Sequence, residues 1–240
     1  MILKFKDIIN KHKGKKAVIV GHGPSSNQYL DQLNTYKDNG YIIFGCNYWY
    51  NFYTCCSPHY WVMANTICTP KTEQIQINKN DAVLLYADSV YSREIDWIKE
   101  NIAVDYLPYD QRHFNGKKCS VCDRVGCISV LNPSRLTIQE ELQKYTGFDL
   151  HYSSGDTVAL HMIAFSILMG CSEVFLLGLD LNYELGYAKN TKNYPVPYDS
   201  FKYTDSKGKN ILNDINIIIN SAKKIGVNII NTNRQSGWKA

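Results

Sequence analysis

With 240 residues, 45% of them hydrophobic and 20% charged, the chain has the make-up of a globular protein large enough to bury a substantial core. Its net charge of +4 is too small to mark a duplex nucleic-acid binder, and nucleic acid is not an expected partner. No run approaches the roughly 18 apolar residues that span a bilayer, and the lysine-rich stretch 1–16 lacks a secretory apolar segment.

Those features set the expectation of a cytoplasmic protein, either free or lying peripherally on the inner membrane face, where the lysines of 11–16 and 202–209 meet anionic groups. The first apolar strand signal, at 16–20, contains Ala17-Val18-Ile19-Val20 and stops at Gly21-His22-Gly23-Pro24-Ser25-Ser26 before a helical pattern over 27–33. Such a turn leaves backbone N–H groups where the dipole of the following helix favours an anion, usually phosphate. A plain strand-to-helix turn needs one glycine; two glycines, a proline and two hydroxyls in six residues point to close backbone approach to a ligand. The loop matches neither the dinucleotide fingerprint nor the P-loop.

Further strands are expected at 41–46, 60–63, 82–86, 103–107, 173–177 and 227–230, and helices at 93–101, 157–169 and 211–225. This alternation predicts an α/β, Rossmann-like fold: a mostly parallel sheet with helices on both faces, in one domain of 1–240. The polar or weakly periodic segments 111–147 and 187–209 read as an insertion or lid. The helix at 157–169 is apolar nearly all round and so buried, with Gly170 ending it and His161 packed within it.

Among eight cysteines, Cys119, Cys122 and Cys127 have zinc-like spacing but no adjacent fourth ligand. Reduced, partly buried thiols are the default, with His113 or Cys68 completing a zinc site as the alternative. The 18 tyrosines include the cluster Tyr48-Trp49-Tyr50, which suits either sugar or base recognition or the edge of a core.

In an open parallel sheet, ligands sit beyond the carboxyl ends of the strands. That rule selects the 21–26 loop, Asn47, Asn65, and Gly178-Leu179-Asp180 with Tyr183 and Tyr187. Each asparagine either contacts ribose, base or sugar hydroxyls or closes an Asx turn. Ser153-Ser154-Gly155 precedes the buried helix, where Ser154, Asp156 or Thr157 supplies the N-cap and the helix start offers a second anion site. A carboxylate at Asp180, ending a buried strand, must be hydrogen-bonded, paired or exposed at the strand's mouth.

The ordered set Val18-Ile19-Val20-Gly21-His22-Gly23-Pro24-Ser25, Phe44-Gly45-Cys46-Asn47, Trp61-Val62-Met63-Ala64-Asn65, Ser154-Gly155 and Val174-Phe175-Leu176-Leu177-Gly178-Leu179-Asp180 resembles the bacterial sialyltransferases of glycosyltransferase family 42. It is also similar to the related domain-of-unknown-function 115 group. The resemblance implies a GT-A-like single-domain enzyme that transfers a sialic-acid-like sugar from a nucleotide-sugar donor, a cytidine monophosphate sugar, to a glycan, lipid or protein acceptor. It implies inversion without a metal or other cofactor. On this basis Gly21, His22, Gly23, Pro24, Ser25, Asn47, Asn65, Ser153, Ser154 and Gly155 bind the donor, while Tyr183 and Tyr187 stabilise the departing phosphate beside Asp180.

Three departures accompany the resemblance. His22 stands where the family loop usually carries asparagine, and His151 where an arginine usually precedes the Ser-Gly pair. No histidine follows His161, so the family's general base is missing, with Asp180, Asp199 or Asp205 as replacements. Two other readings stay open. One is a magnesium- and ATP-dependent pyrophosphokinase of the hydroxymethylpterin type, whose acidic triplet Asp180-Leu181-Asn182 only half supplies. The other is a non-catalytic nucleotide- or glycan-binding protein. A homo-oligomer is compatible with all three.

Overall fold

The computed structural model describes residues 1–49, 55–64, 71, 73–87, 95–109, 144–146, 157–180, 215–216 and 218–233. Its strands are β1 (Lys16–Val20), β2 (Ile42–Cys46), β3 (Tyr60–Met63), β4 (Val83–Ala87), β5 (Tyr106–Tyr109), β6 (Glu173–Leu177) and β7 (Asn228–Asn231). They form one sheet in the order β5-β4-β3-β2-β1-β6-β7, with every pairing parallel. All seven strands fall on the apolar, β-branched or aromatic runs that predict them.

Parallel neighbours need crossover connections, and helices lie in several of them. Those among the described residues are α1 (Leu33–Asp38), α2 (Gln74–Lys79), α3 (Ile95–Asn101) and α4 (Val158–Leu168), with further helical residues at 215–216 and 218–224. Side-chain alternation along β1 separates two cores. Ala17 and Ile19 face α4 together with Ile215, Ile218 and Ala222, while Val18 and Val20 share the other core with Leu33, Ile77 and Ile98 of α1, α2 and α3. Helices therefore cover both faces, as the Rossmann-like reading expects.

Ten of the eleven residues of α4 are buried, which explains its uniformly apolar sequence. Burying side chains such as Leu160, Ile163 and Phe165 contributes about 1.5–3 kcal/mol each. Thr157 is its N-cap, the hydroxyl accepting from the Ala159 amide at 3.3 Å, and Gly170 at φ 81° follows its end. His161 is a core histidine: its Nδ1 lies 2.6 Å from the Tyr109 hydroxyl, and the two rings meet edge to face.

Two local expectations need correction, and the helix α2 was not among those expected. The 27–33 helix is instead a run of 3-10 turns over Pro24–Gln32, with α1 beginning at Leu33. Pro24 and the local Ser26 hydroxyl bond to the Gly23 carbonyl, at 2.8 Å, favour tight turns over a regular α-helix. β5 begins at Tyr106 and includes Pro108, which is tolerated because β5 is the outer strand. Its free edge is partly covered by the first residues of the chain: the Leu3 amide donates to the Tyr106 carbonyl at 2.7 Å and the Tyr106 amide to the Met1 carbonyl at 3.0 Å. Finally, α2 carries little periodic signal, since Ile77 is its single buried residue.

Among the described residues, no helix is long and apolar enough to cross a membrane.

Candidate functional site

The chain lays down β1, moves outward through β2, β3, β4 and β5, and returns to place β6 on the other side of β1. The strand order thus reverses between β1 and β6, and the loops that leave their carboxyl ends are Gly21–Ser26 and Gly178–Asp180. In open α/β sheets such a switch point is where the crevice forms.

The two loops interlock. The Gly21 amide donates to the Leu177 carbonyl at 2.7 Å and the Gly23 amide to the Gly178 carbonyl at 2.9 Å. A Cβ at Gly21 would lie 2.6 Å from the Gly178 carbonyl oxygen; one at Gly23 would lie 2.5 Å from Asp180 Oδ2. Gly178, at φ 67°, would in turn drive a Cβ to 2.5 Å from the Gly21 carbonyl oxygen. The glycines are required by backbone meeting backbone and, at Gly23, by the Asp180 carboxylate as well.

The N–H groups expected to cradle an anion are largely taken up within the protein. Besides the two glycine amides, the Ser25 amide donates to Asp180 Oδ2 at 2.9 Å and the Ser26 amide to the Gly23 carbonyl at 3.1 Å, while Pro24 has no N–H. The amides of Gly21, Gly23, Ser25 and Ser26 are therefore engaged inside the protein. What the loop does offer is the Ser25 hydroxyl, a buried oxygen with no hydrogen-bond partner among the described residues.

Asp180 is 4% exposed, and both carboxylate oxygens are engaged: Oδ2 by the Ser25 amide, Oδ1 by the Asn233 side-chain amide. Asn233 follows β7 and is itself buried. It was not among the expected site residues, although it sits just past a strand's carboxyl end, the same signal that selected Asn47. The carboxylate thus ties the ends of β1, β6 and β7 together.

Asn47 follows β2 in the left-handed region at φ 40°. Its Oδ1 accepts from the Ala64 amide at 3.1 Å, its amide donates to Val62, and its carbonyl accepts from Trp61 Nε1 at 2.7 Å, so it fastens the end of β2 to the end of β3. Its neighbours Tyr48 and Trp49 are buried, Trp49 lying over Gly45 and donating through Nε1 to the Cys56 carbonyl at 2.8 Å. Those two rings belong to the core.

The His22 ring lies against the Cys46 thiol, Nε2 to Sγ being 3.8 Å. Desolvation lowers its pKa to about 3, only partly offset by a hydrogen bond to the Cys46 backbone, so the imidazole is neutral at pH 7. The Cys46 thiol is pushed up to about 12 by burial, and Cys46, Cys55, Cys56 and Cys171 are free. Asn65, Ser153, Ser154, Gly155, Tyr183 and Tyr187 lie outside the described residues, as do Cys119, Cys122, Cys127, Asp199 and Asp205.

No protein-family model matches the chain, and no curated protein matches it. Solved structures do. The sialyltransferase CST-II in complex with a trisaccharide acceptor and CMP shares 16% identity at a TM-score of 0.52, over 93% of this chain and 83% of that one. A variant of the same enzyme with CMP gives the same values. The Campylobacter jejuni CstII structure with the substrate analogue CMP-3FNeuAc shares 15% identity at a TM-score of 0.50, over 93% and 83% of the two chains. The shared feature is the fold, an α/β architecture of sialyltransferase type.

Proposed function

We propose that the chain is a nucleotide-sugar glycosyltransferase that binds its donor over the carboxyl ends of β1, β2 and β6. The observation that carries this reading is the locked pair of loops at the switch point, on a fold shared with structures whose names record CMP and a CMP-sugar analogue. The Ser25 hydroxyl is the loop's donor to the nucleotide phosphate. Asn47, with Oδ1 occupied by Ala64, meets the ligand through Nδ2 and so reads an acceptor atom on base, ribose or sugar. His22, neutral and packed on Cys46, shapes the wall beside it.

Asn65, Ser153, Ser154 and Gly155 complete the donor site in this reading. Transfer is a single inverting displacement: an acceptor hydroxyl attacks the anomeric carbon as its bond to the phosphate oxygen breaks. Tyr183 and Tyr187 donate hydrogen bonds to the charge that develops on the leaving phosphate, and no metal is needed for that step. Asp180 serves as a positioning residue that holds Ser25, which leaves Asp199 or Asp205 to take the acceptor's proton. The donor is a cytidine monophosphate sugar of sialic-acid type, and the acceptor a glycan, lipid or protein.

Thermal-shift titration of the full chain with cytidine, uridine, guanosine and adenosine nucleotides, each with and without magnesium, tests the proposal. A saturating ligand at 100 times its Kd adds about 2.7 kcal/mol of stability. Stabilisation by CMP without magnesium, followed by sugar transfer from a CMP-sugar, is the expected result. Stabilisation confined to ATP with magnesium would replace it with the pyrophosphokinase, and CMP binding without transfer by the binding protein.

A further inference from the structure

At the opposite, amino-terminal edge of the sheet lies a cleft of about 380 Å³, within the range of small-molecule sites. Its floor is Tyr60 and Val83, the first residues of β3 and β4, and its walls include Lys11, Lys37, Lys79, His59, Asn80 and Asp81. Three lysines thus face one carboxylate. Lys11 and Lys79 form no ion pair among the described residues, whereas Lys37 donates to the Ser57 carbonyl at 3.0 Å.

Two histidines, His12 and His59, line this wall, and His59 has a fixed tautomer. His59 Nδ1 accepts from the Ile43 amide at 3.0 Å, and desolvation, reinforced by Lys37 and Lys15, lowers its pKa to about 4. A neutral ring accepting at Nδ1 carries its proton on Nε2, so His59 is a hydrogen-bond donor. The cleft therefore presents cations and a neutral donor, a set complementary to a compact group of oxygens bearing more than one negative charge.

We infer that this cleft is a second ligand site, separate from the switch-point crevice, that takes a phosphoryl or pyrophosphoryl group through Lys11, Lys37, Lys79 and His59. Two sources supply such a group, a free phosphate ester and a phospholipid headgroup. The sheet separates the site from the nucleotide crevice, since β3 alone spans roughly 13 Å at about 3.3 Å per residue. A phosphorylated molecule can thus occupy the cleft while a nucleotide occupies the other edge.

The test uses the full chain, with inorganic pyrophosphate as the free probe and vesicles of phosphatidylglycerol or of phosphatidylcholine as the lipid probes. Binding is followed by calorimetry, by co-sedimentation, and by the amide resonance of Ile43, which reports on His59. The expected result is saturable pyrophosphate binding that shifts the Ile43 resonance, or co-sedimentation with the anionic vesicles alone, identifying the source. Removing two of the cleft's lysines in Lys11→Ala/Lys79→Ala weakens it roughly 10- to 100-fold, as losing charged hydrogen-bond donors does. Lys223→Ala/Lys224→Ala, which removes the same charge from exposed positions outside the cleft, leaves binding within about twofold. Equal weakening by both double variants reduces the effect to bulk charge and overturns the site. So does the absence of binding to either probe, in which case Lys37 and Lys79 serve only to offset the dipoles of the helices they end.

Discussion

Asp180 Oδ2 accepts the Ser25 amide at 2.9 Å across 155 residues of sequence, and the other oxygen of the same carboxylate accepts the Asn233 side chain. One buried charge thereby joins three strand ends. Asp180→Ala strands two buried donors, each costing about 1–3 kcal/mol, and urea unfolding should show a loss of about 3 kcal/mol. Asp180→Asn keeps one acceptor oxygen but turns an N–H group toward the other donor, and should lose about half of that or more. Loss of nucleotide binding in Asp180→Asn without a fall in stability would move the carboxylate from positioning the loop to contacting the ligand.

Gly178 and Gly40 both hold positive φ, at 67° and 79°, but only Gly178 faces another backbone: a Cβ there would sit 2.5 Å from the Gly21 carbonyl oxygen, whereas Gly40 meets nothing within 4 Å. Gly40→Ala should cost about 1–2 kcal/mol, the penalty of the left-handed conformation alone. Gly178→Ala adds the collision, and should cost at least about 3 kcal/mol or prevent folding. Equal costs in denaturant melts would show that the loops separate easily.

The glycine loop shows how far sequence reaches and where it stops. Its strand and turn are local, and Val18 to Gly23 announce them. The reason for the glycines is not local, because the atoms they admit belong to Gly178 and Asp180, in the loop after a strand laid down much later. The seven strands were legible because β-branched runs repeat between polar turns, and α4 because its buried face is the whole helix. The 3-10 run was not, since the Ser26 hydroxyl bonds back to the Gly23 carbonyl while the Ser25 amide bonds a carboxylate 155 residues away. The amino-edge cleft left no motif: Lys11, Lys37 and Lys79 meet only after the sheet has formed. Asn47 shows the choice that patterns leave open, for its side-chain oxygen closes the β2–β3 junction at a strand end also suited to a ligand.

Stability should depend on pH through three histidines. The pKa of His12 is lowered to about 4, that of His22 to about 3 and that of His59 to about 4, desolvation being the largest cause in each. The unfolded chain protonates these rings through about pH 6.5 while the folded chain resists, so the unfolded state binds more protons between about pH 4 and 6.5. Stability is therefore full above about pH 7 and falls as pH drops through that window. The ceiling is about 1.4 kcal/mol per pH unit for each ring, and the partly exposed His12 and His59 contribute less. His59→Asn, which keeps an acceptor for the Ile43 amide without titrating, should flatten the slope measured by urea melts between pH 5 and 7. An unchanged slope would place the titration elsewhere.

In the proposed transfer Tyr183 and Tyr187, which follow Asp180 in a polar stretch of sequence, serve turnover more than folding. Tyr→Phe at either should lower kcat by roughly 10- to 1000-fold, the range for removing one donor to developing charge, with the melting temperature nearly unchanged. A large drop in stability with little loss of transfer would make them packing residues instead.

Ser25→Ala separates folding from binding by sign. In the free protein the Ser25 hydroxyl is buried without a partner among the described residues, so deleting it removes an unmet desolvation cost and should stabilise the fold by up to about 1 kcal/mol. If the hydroxyl donates to a nucleotide phosphate, the same substitution removes a charge-assisted hydrogen bond, and CMP affinity should fall roughly 10- to 150-fold. The Ser25 amide, which holds Asp180, is untouched, so the loop keeps its shape. Thermal melts of both proteins with and without CMP read the two effects together. A destabilised variant with unchanged CMP affinity would mean that the hydroxyl supports the fold, and the phosphate would then have to be held by other residues of the crevice.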